Sequence, residues 1–167
     1  FYSMKYYKLE PLVLQGKNVY NRFVGKTILH CDLNNFYASV EQKLHPEYDG
    51  MPLAVCGNPE ARHGIVLAKN QLAKKAGVQT GETLWSARQK CPDIVFVLPH
   101  FDEYVKYSKQ VFEIYTQFTD RVERFGIDEC WLDVTGSEKL FGDGVTIANK
   151  LRRLVQEKTG LTISVGV

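Results

Sequence analysis

Short apolar runs that end on acids constrain this chain more than any other feature. Residues 27–31 form an apolar run that stops at Asp32. Residues 122–125 and 130–134 read as the two strands of a hairpin, with Asp128 and Glu129 between them. A carboxylate beside a buried strand is costly to desolvate unless it is paired or bound to a cation. Strand ends lying side by side place all three acids within reach of a common point. Three hard oxygen donors, with no Cys or His among them, suit magnesium or manganese. On spacing alone, a helix-capping Asp32 and ordinary turn acids at 128 and 129 account for the pattern equally well.

The remaining pattern predicts an α+β fold. A helix is expected over 36–44, capped by Asn34 or Asn35. Strands are expected over 52–56 and 65–68, with turns at Asn58-Pro59 and His63-Gly64. A short basic helix over 69–76 closes at Gly77, and a helix over 83–91 starts at Thr83 and stops before Pro92. A strand over 94–98 follows. Tyr104, Ser108, Val111, Tyr115 and Phe118 recur at helical spacing and define one face of a helix over 102–119. The acids at 128 and 129 sit at the tip of a β-hairpin. Ile147, Leu151, Leu154 and Val155 mark a last helix, and 161–167 alternate like a strand. Hairpins interrupt the strand–helix alternation, which favours α+β over a doubly wound sheet. Residues 1–25 read as an N-terminal arm, with 1–3 a vector remnant before Met4. The final strand stops without a turn or polar tail, as in a piece of a larger protein.

Of the 167 residues, 44% are apolar, enough for a packed core, and the net charge of +2 leaves no chain-wide electrostatic footprint. The basic signal is local: residues 62–90 hold Arg62, Lys69, Lys74, Lys75, Arg88 and Lys90 against a single acid, Glu82. Cys31, Cys56, Cys91 and Cys130 lack metal-ligand spacing. No apolar run of about 18 residues is present, so the expected protein is reduced, soluble and cytoplasmic, with no membrane partner. No Ser-His or Cys-His arrangement offers a nucleophile, and His30, His45, His63 and His100 receive no catalytic role. Trp131 is expected in the core and Asp133 in a salt bridge or cap.

Asp32-Leu33-Asn34-Asn35-Phe36-Tyr37-Ala38-Ser39-Val40-Glu41 closely resembles the first signature of the Y-family, translesion-type DNA polymerases. Gly126-Ile127-Asp128-Glu129-Cys130-Trp131-Leu132-Asp133 resembles their second. Residues 64–77, with Lys69-Asn70 and Ala73-Lys74-Lys75, resemble the finger strand and helix. The resemblance covers residues 26–167, with the three motifs in order. It implies a polymerase palm (a ferredoxin-like sheet with helices on one face) at 26–43 and 99–167, and a small fingers subdomain at 44–98.

The resemblance also implies the chemistry. Asp32 and Asp128 bridge two Mg2+ ions, for which Mn2+ substitutes, and Glu129 holds the ion at the primer 3′-hydroxyl. The Leu33 carbonyl completes the nucleotide-side ion. The amides of Asn34, Asn35, Phe36 and Tyr37 receive the triphosphate. Tyr37 is the gate against a ribose 2′-hydroxyl, with Phe36 packed beside it. Gln71 and Lys74 face the triphosphate from the fingers. Three departures stand out: Lys74 replaces an Arg fork, Ala68 and Gln71 replace a hydroxyl residue and a Tyr, and Asn34 stands where many relatives have Asp. The partners implied are primer-template DNA, deoxynucleoside triphosphates and, for the full-length protein, a sliding clamp bound through regions beyond Val167. The 167 residues alone are expected to be inactive and, with an open sheet edge, prone to self-association. The rival readings are a palm-type nucleotide cyclase and a non-catalytic DNA- or protein-binding module.

Overall fold

The computed structural model describes residues 25–58 and 64–167. Residues 1–24 of the expected arm, Arg62 and the turn at His63 lie outside the described residues.

Strand β1 (Ile28–Leu33) alternates strictly: Leu29, Cys31 and Leu33 are buried, while Ile28, His30 and Asp32 are partly open. β6 (Glu129–Asp133) repeats the pattern, burying Cys130 and Leu132. With β5 (Val122–Arg124) and β7 (Ile163–Gly166) they form a four-stranded sheet in the order β5-β6-β1-β7. Every neighbouring pair is antiparallel. Helix α4 (Phe101–Tyr115) precedes β5, and helix α6 (Gly144–Thr159) joins β6 to β7. The result is the expected ferredoxin-like arrangement of split β-α-β units. One face of the sheet packs Leu29, Cys31, Leu33, Leu132 and Ile163 against Tyr104, Val111 and Ile114 of α4 and Ile147, Leu151 and Val155 of α6. A period of two puts His30, Asp32, Glu129 and Trp131 on the opposite face.

A second sheet, in the order β3-β2-β4, comprises β2 (Leu53–Cys56), β3 (Val66–Lys69) and β4 (Val95–Val97). With α2 (Gln71–Lys75) and α3 (Leu84–Lys90) it builds its own small core of Ala54, Val66, Ala73, Val78, Ala87, Cys91 and Ile94. Helix α1 (Phe36–Leu44) serves both bodies. Phe36 and Val40 enter the larger core, and Ala38 packs with Leu53, Val55 and Val97. No helix among the described residues is long and apolar enough to cross a membrane.

Several local expectations shift. Asn35 does precede α1, but in the left-handed region (φ 49°) and without a side-chain cap bond. The basic helix begins at Gln71, because Lys69 belongs to β3 and Asn70 is the cap. A four-residue helix, α5 (Glu138–Phe141), was not expected. Trp131 is not a core residue: it is 41% exposed and stacks on His30 with ring centroids 4.2 Å apart. Cys130 and Leu132 take the two inward positions beside it. Asp133 behaves as expected, accepting from the Thr135 N–H and pairing with Arg121 at 3.5 Å.

Asn70 holds the smaller body together. It is 5% exposed. Its Oδ1 accepts from the N–H groups of Leu53 (3.1 Å) and Ala73 (3.0 Å), and its Nδ2 donates to the Met51 carbonyl at 2.7 Å. Asn70→Ala strips a helix cap and leaves buried strand groups unpaired, so urea unfolding should show a loss of about 2–4 kcal/mol. Asn70→Asp keeps both accepted bonds and should lose less. Equal losses for the two variants would assign the effect to shape.

Candidate active site

The β1–β6 register sets Asp32 opposite Glu129. The Leu33 N–H donates to the Asp128 carbonyl at 3.1 Å, so 33/128 is a hydrogen-bonded pair. The adjacent Asp32/Glu129 pair is then of the non-hydrogen-bonded kind, in which facing side chains approach most closely. Two carboxylates therefore face each other on the open side of the sheet, and Asp128 follows at the hairpin tip. Burial raises the Asp32 carboxyl above the usual range, and the charges of Asp128 and Glu129 push it further the same way. Asp128 is likewise raised by burial, with a smaller contribution from Glu129. Among the described residues no Lys or Arg forms an ion pair with any of the three. The nearest compensation is His30, whose Nε2 lies 3.5 Å from Glu129 Oε2.

The segment after Asp32 is pinned to β7. The Asn34 N–H donates to the Thr162 carbonyl at 2.9 Å. The Asn34 side chain donates to the Thr162 hydroxyl (3.1 Å) and accepts from the Ser164 hydroxyl (2.7 Å). The Asn34 amide is thus committed and is not open to a phosphate, contrary to the expectation for that residue. Phe36 and Tyr37 occupy the first turn of α1, where N–H groups have no acceptor within the helix. Thr162 and Ser164 went unrecognised as partners of this loop. The signal was the alternation of polar residues along the last strand.

Phe36 is core, 4% exposed. Tyr37 is half-buried and stacks on Tyr104, with centroids 4.3 Å apart and planes 12° from parallel. Burial raises its phenol, and the Asp128 charge adds to this. Lys74 and Gln71 are exposed on α2, and Lys74 makes no ion pair among the described residues. Three of the other basic groups are engaged. Lys69 donates to the Thr80 hydroxyl at 2.9 Å, Arg88 lies 5.1 Å from the Phe96 ring centroid, and Lys90 pairs with Glu82 at 2.5 Å. Of the basic cluster on α2 and α3, Lys74 and its neighbour Lys75 remain for an anionic ligand.

The arrangement is a facing Asp32/Glu129 pair with Asp128 at the hairpin tip of a ferredoxin-like sheet, without a Lys or Arg partner among the described residues. The donor atoms of the three do not all lie within 4.8 Å of one another, so they are not drawn to the common point expected. Residues 31–167 match the impB/mucB/samB family. The chain belongs to this family. It is 58% identical over 142 residues to DNA polymerase IV of Acetivibrio thermocellus, covering 85% of this chain and 36% of that protein. It is 46% identical over 144 residues to DNA polymerase IV 2 of Halalkalibacterium halodurans, covering 86% of this chain and 35% of that protein. Among solved structures, a Y-family DNA polymerase chimera of Dbh and Dpo4 superposes with a TM-score of 0.78 at 32% identity, covering 83% of this chain and 41% of that one. DinB from Sulfolobus solfataricus gives 0.76 with the same identity and coverage. The family member described here thus carries the palm and fingers portion of the fold, and it spans about a third of the length of these curated relatives.

The donor set fits divalent cations. Carboxylate oxygens are hard ligands, and the crowding that raises Asp32 and Asp128 is the repulsion a cation would relieve.

Proposed function

We propose that the protein carrying this chain is a template-directed DNA polymerase of the translesion type, which adds deoxynucleotides to a primer 3′-hydroxyl. The observation that carries the reading is the cross-strand Asp32/Glu129 pair with Asp128 beside it, crowded and without a Lys or Arg partner, on the open face of the sheet. Asp32, Asp128 and Glu129, with the Leu33 carbonyl, would hold two Mg2+ ions. Such a pair stabilises both the attacking and the leaving oxygen of an in-line phosphoryl displacement.

The chain's own residues do the positioning. Asn34, held by Thr162 and Ser164, fixes the turn between β1 and α1. The first-turn amides of α1, at Phe36 and Tyr37, would receive phosphate oxygens. Tyr37, braced on Tyr104, sets a wall under the sugar. Lys74 and Gln71 approach the triphosphate from α2. Lys74 acts there as a point charge without the planar fork of an Arg. Primer-template DNA and deoxynucleoside triphosphates are the substrates of this reading, a sliding clamp its expected partner, and the bacterial cytoplasm its compartment.

A primer-extension assay tests the proposal. The protein at the length of its relatives, with Mg2+, a primed template and all four deoxynucleotides, should extend the primer with the complementary base. Conversion of a nucleoside triphosphate to a cyclic nucleotide, with no primer extension, would replace this reading by the cyclase.

A further inference from the structure

Among the described residues, the one set of three potential ligand groups whose donor atoms all lie within 4.8 Å of one another is Glu41, His45 and His100. It is separate from the three acids above. Glu41 lies near the end of α1, His45 follows that helix, and His100 immediately precedes α4. The chain crosses from the larger body to the smaller at the first place and returns at the second.

Glu41 is fully buried. Its Oε1 accepts from the Tyr104 hydroxyl and, at 3.2 Å, from the His100 backbone N–H. Its Oε2 lies 3.0 Å from His100 Nδ1. Tyr104 and the start of α4 thereby fix the carboxylate with both oxygens beside His100 Nδ1, Oε1 at 3.1 Å and Oε2 at 3.0 Å. His45 stands on the other side, its ring centroid 5.9 Å from that of His100. The His45 Nδ1 lies 3.2 Å from Glu47 Oε1. In the neutral ring, an Nδ1–H donating to Glu47 leaves the lone pair on Nε2. A carboxylate behind a histidine is the usual support for a metal-binding imidazole. The two imidazoles are 37% and 52% exposed and Glu41 is fully buried behind them, so an ion would enter from the imidazole side. A helix-capping acid would account for Tyr104 and the His100 N–H, but it gives His45 no part.

We propose that Glu41, His45 and His100 form a transition-metal site. Two imidazoles and one carboxylate, with water in the fourth position, suit Zn2+. Ligation through His100 Nδ1 requires its proton to move to Nε2, where the exposed side of the ring can be hydrated. The bound ion ties the end of α1 to the start of α4, and so pins both crossings between the two bodies.

The test uses the chain treated with a chelator and titrated with Zn2+ against a chromophoric competitor, in excess Mg2+ to occupy hard-oxygen sites. One Zn2+ per chain should bind, the melting temperature should rise on binding, and Co2+ should give the intense visible bands of a four-coordinate site. His45→Ala and His100→Ala should each weaken Zn2+ binding at least about tenfold. The melting temperature of metal-free His45→Ala should stay near that of the metal-free parent. His45→Gln repeats the test should the Ala variant fold poorly. Absence of Zn2+ binding, or binding unchanged by both histidine substitutions, overturns the proposal. So does binding that depends instead on His30 or Asp32, read with His30→Ala and Asp32→Asn.

Discussion

Asp32→Asn should lower the rate of primer extension at least about 10³-fold while the protein stays folded. Removing even one hydrogen-bond donor that stabilises a transition state costs on the order of 10²–10³ in rate. Asp32 is in addition proposed to hold both ions, so its loss disturbs two centres at once. The stability change should have the opposite sign. Burial and the neighbouring acids raise the Asp32 carboxyl in the folded state. An acid whose folded pKa exceeds its unfolded value binds more protons when folded, so it destabilises the fold at neutral pH and the penalty fades as pH falls. Asp32→Asn removes that penalty and should raise the melting temperature, which for a chain of this size moves about 2–4 °C per kcal/mol. Mg2+ should stabilise the parent more than the variant. Thermal unfolding with and without Mg2+, set beside single-turnover extension, checks both halves. A variant that is less stable and only mildly slower would make Asp32 a structural acid.

The placing of the three acids at strand ends was legible because strands and acids obey separable rules. Apolar alternation marked β1 and β6, and a carboxylate beside such strands is costly to bury. What the pattern left open was facing. The register that sets Asp32 against Glu129 depends on pairing, and a slip of one residue would have turned Asp32 into the core. Trp131 shows the same limit. Its size argued for burial, yet the alternation with Cys130 and Leu132 had already assigned it to the outer face. Asn35 illustrates a local rule outweighed by tertiary constraint. The grip of Thr162 and Ser164 on Asn34 accompanies a sharp turn into α1, and the capping side chain is not used. α5 is too short to show a period. Glu41 stands at the end of the first motif with no local partner, because His100 and Tyr104 lie 59 and 63 positions away. A buried acid whose hydrogen bonds come from the start of a distant helix leaves no local trace.

Tyr37→Ala should lower discrimination between deoxyribo- and ribonucleotides by about two orders of magnitude, the scale on which a packed wall rejects an added hydroxyl. The ring is poised for this. It stacks flat on Tyr104 and meets Phe101 edge-on at 6.0 Å between centroids, so it has little freedom to yield to a 2′-hydroxyl. The same packing gives the substitution a structural cost. Removing a partly buried aromatic should destabilise the fold by about 2–3 kcal/mol, below the range for a fully buried ring. The ratio of kcat/KM for a deoxynucleotide to that for its ribonucleotide separates the two effects, because loss of folded protein lowers both values together and leaves the ratio intact. Tyr37→Phe keeps the wall and removes only the hydroxyl, so its ratio should match that of the parent. A collapse of the ratio in the Phe variant would shift the discrimination from the ring to the phenol oxygen, a hydrogen-bond donor at neutral pH. An unchanged ratio in the Ala variant would return Tyr37 to the core, as packing between α1 and Tyr104.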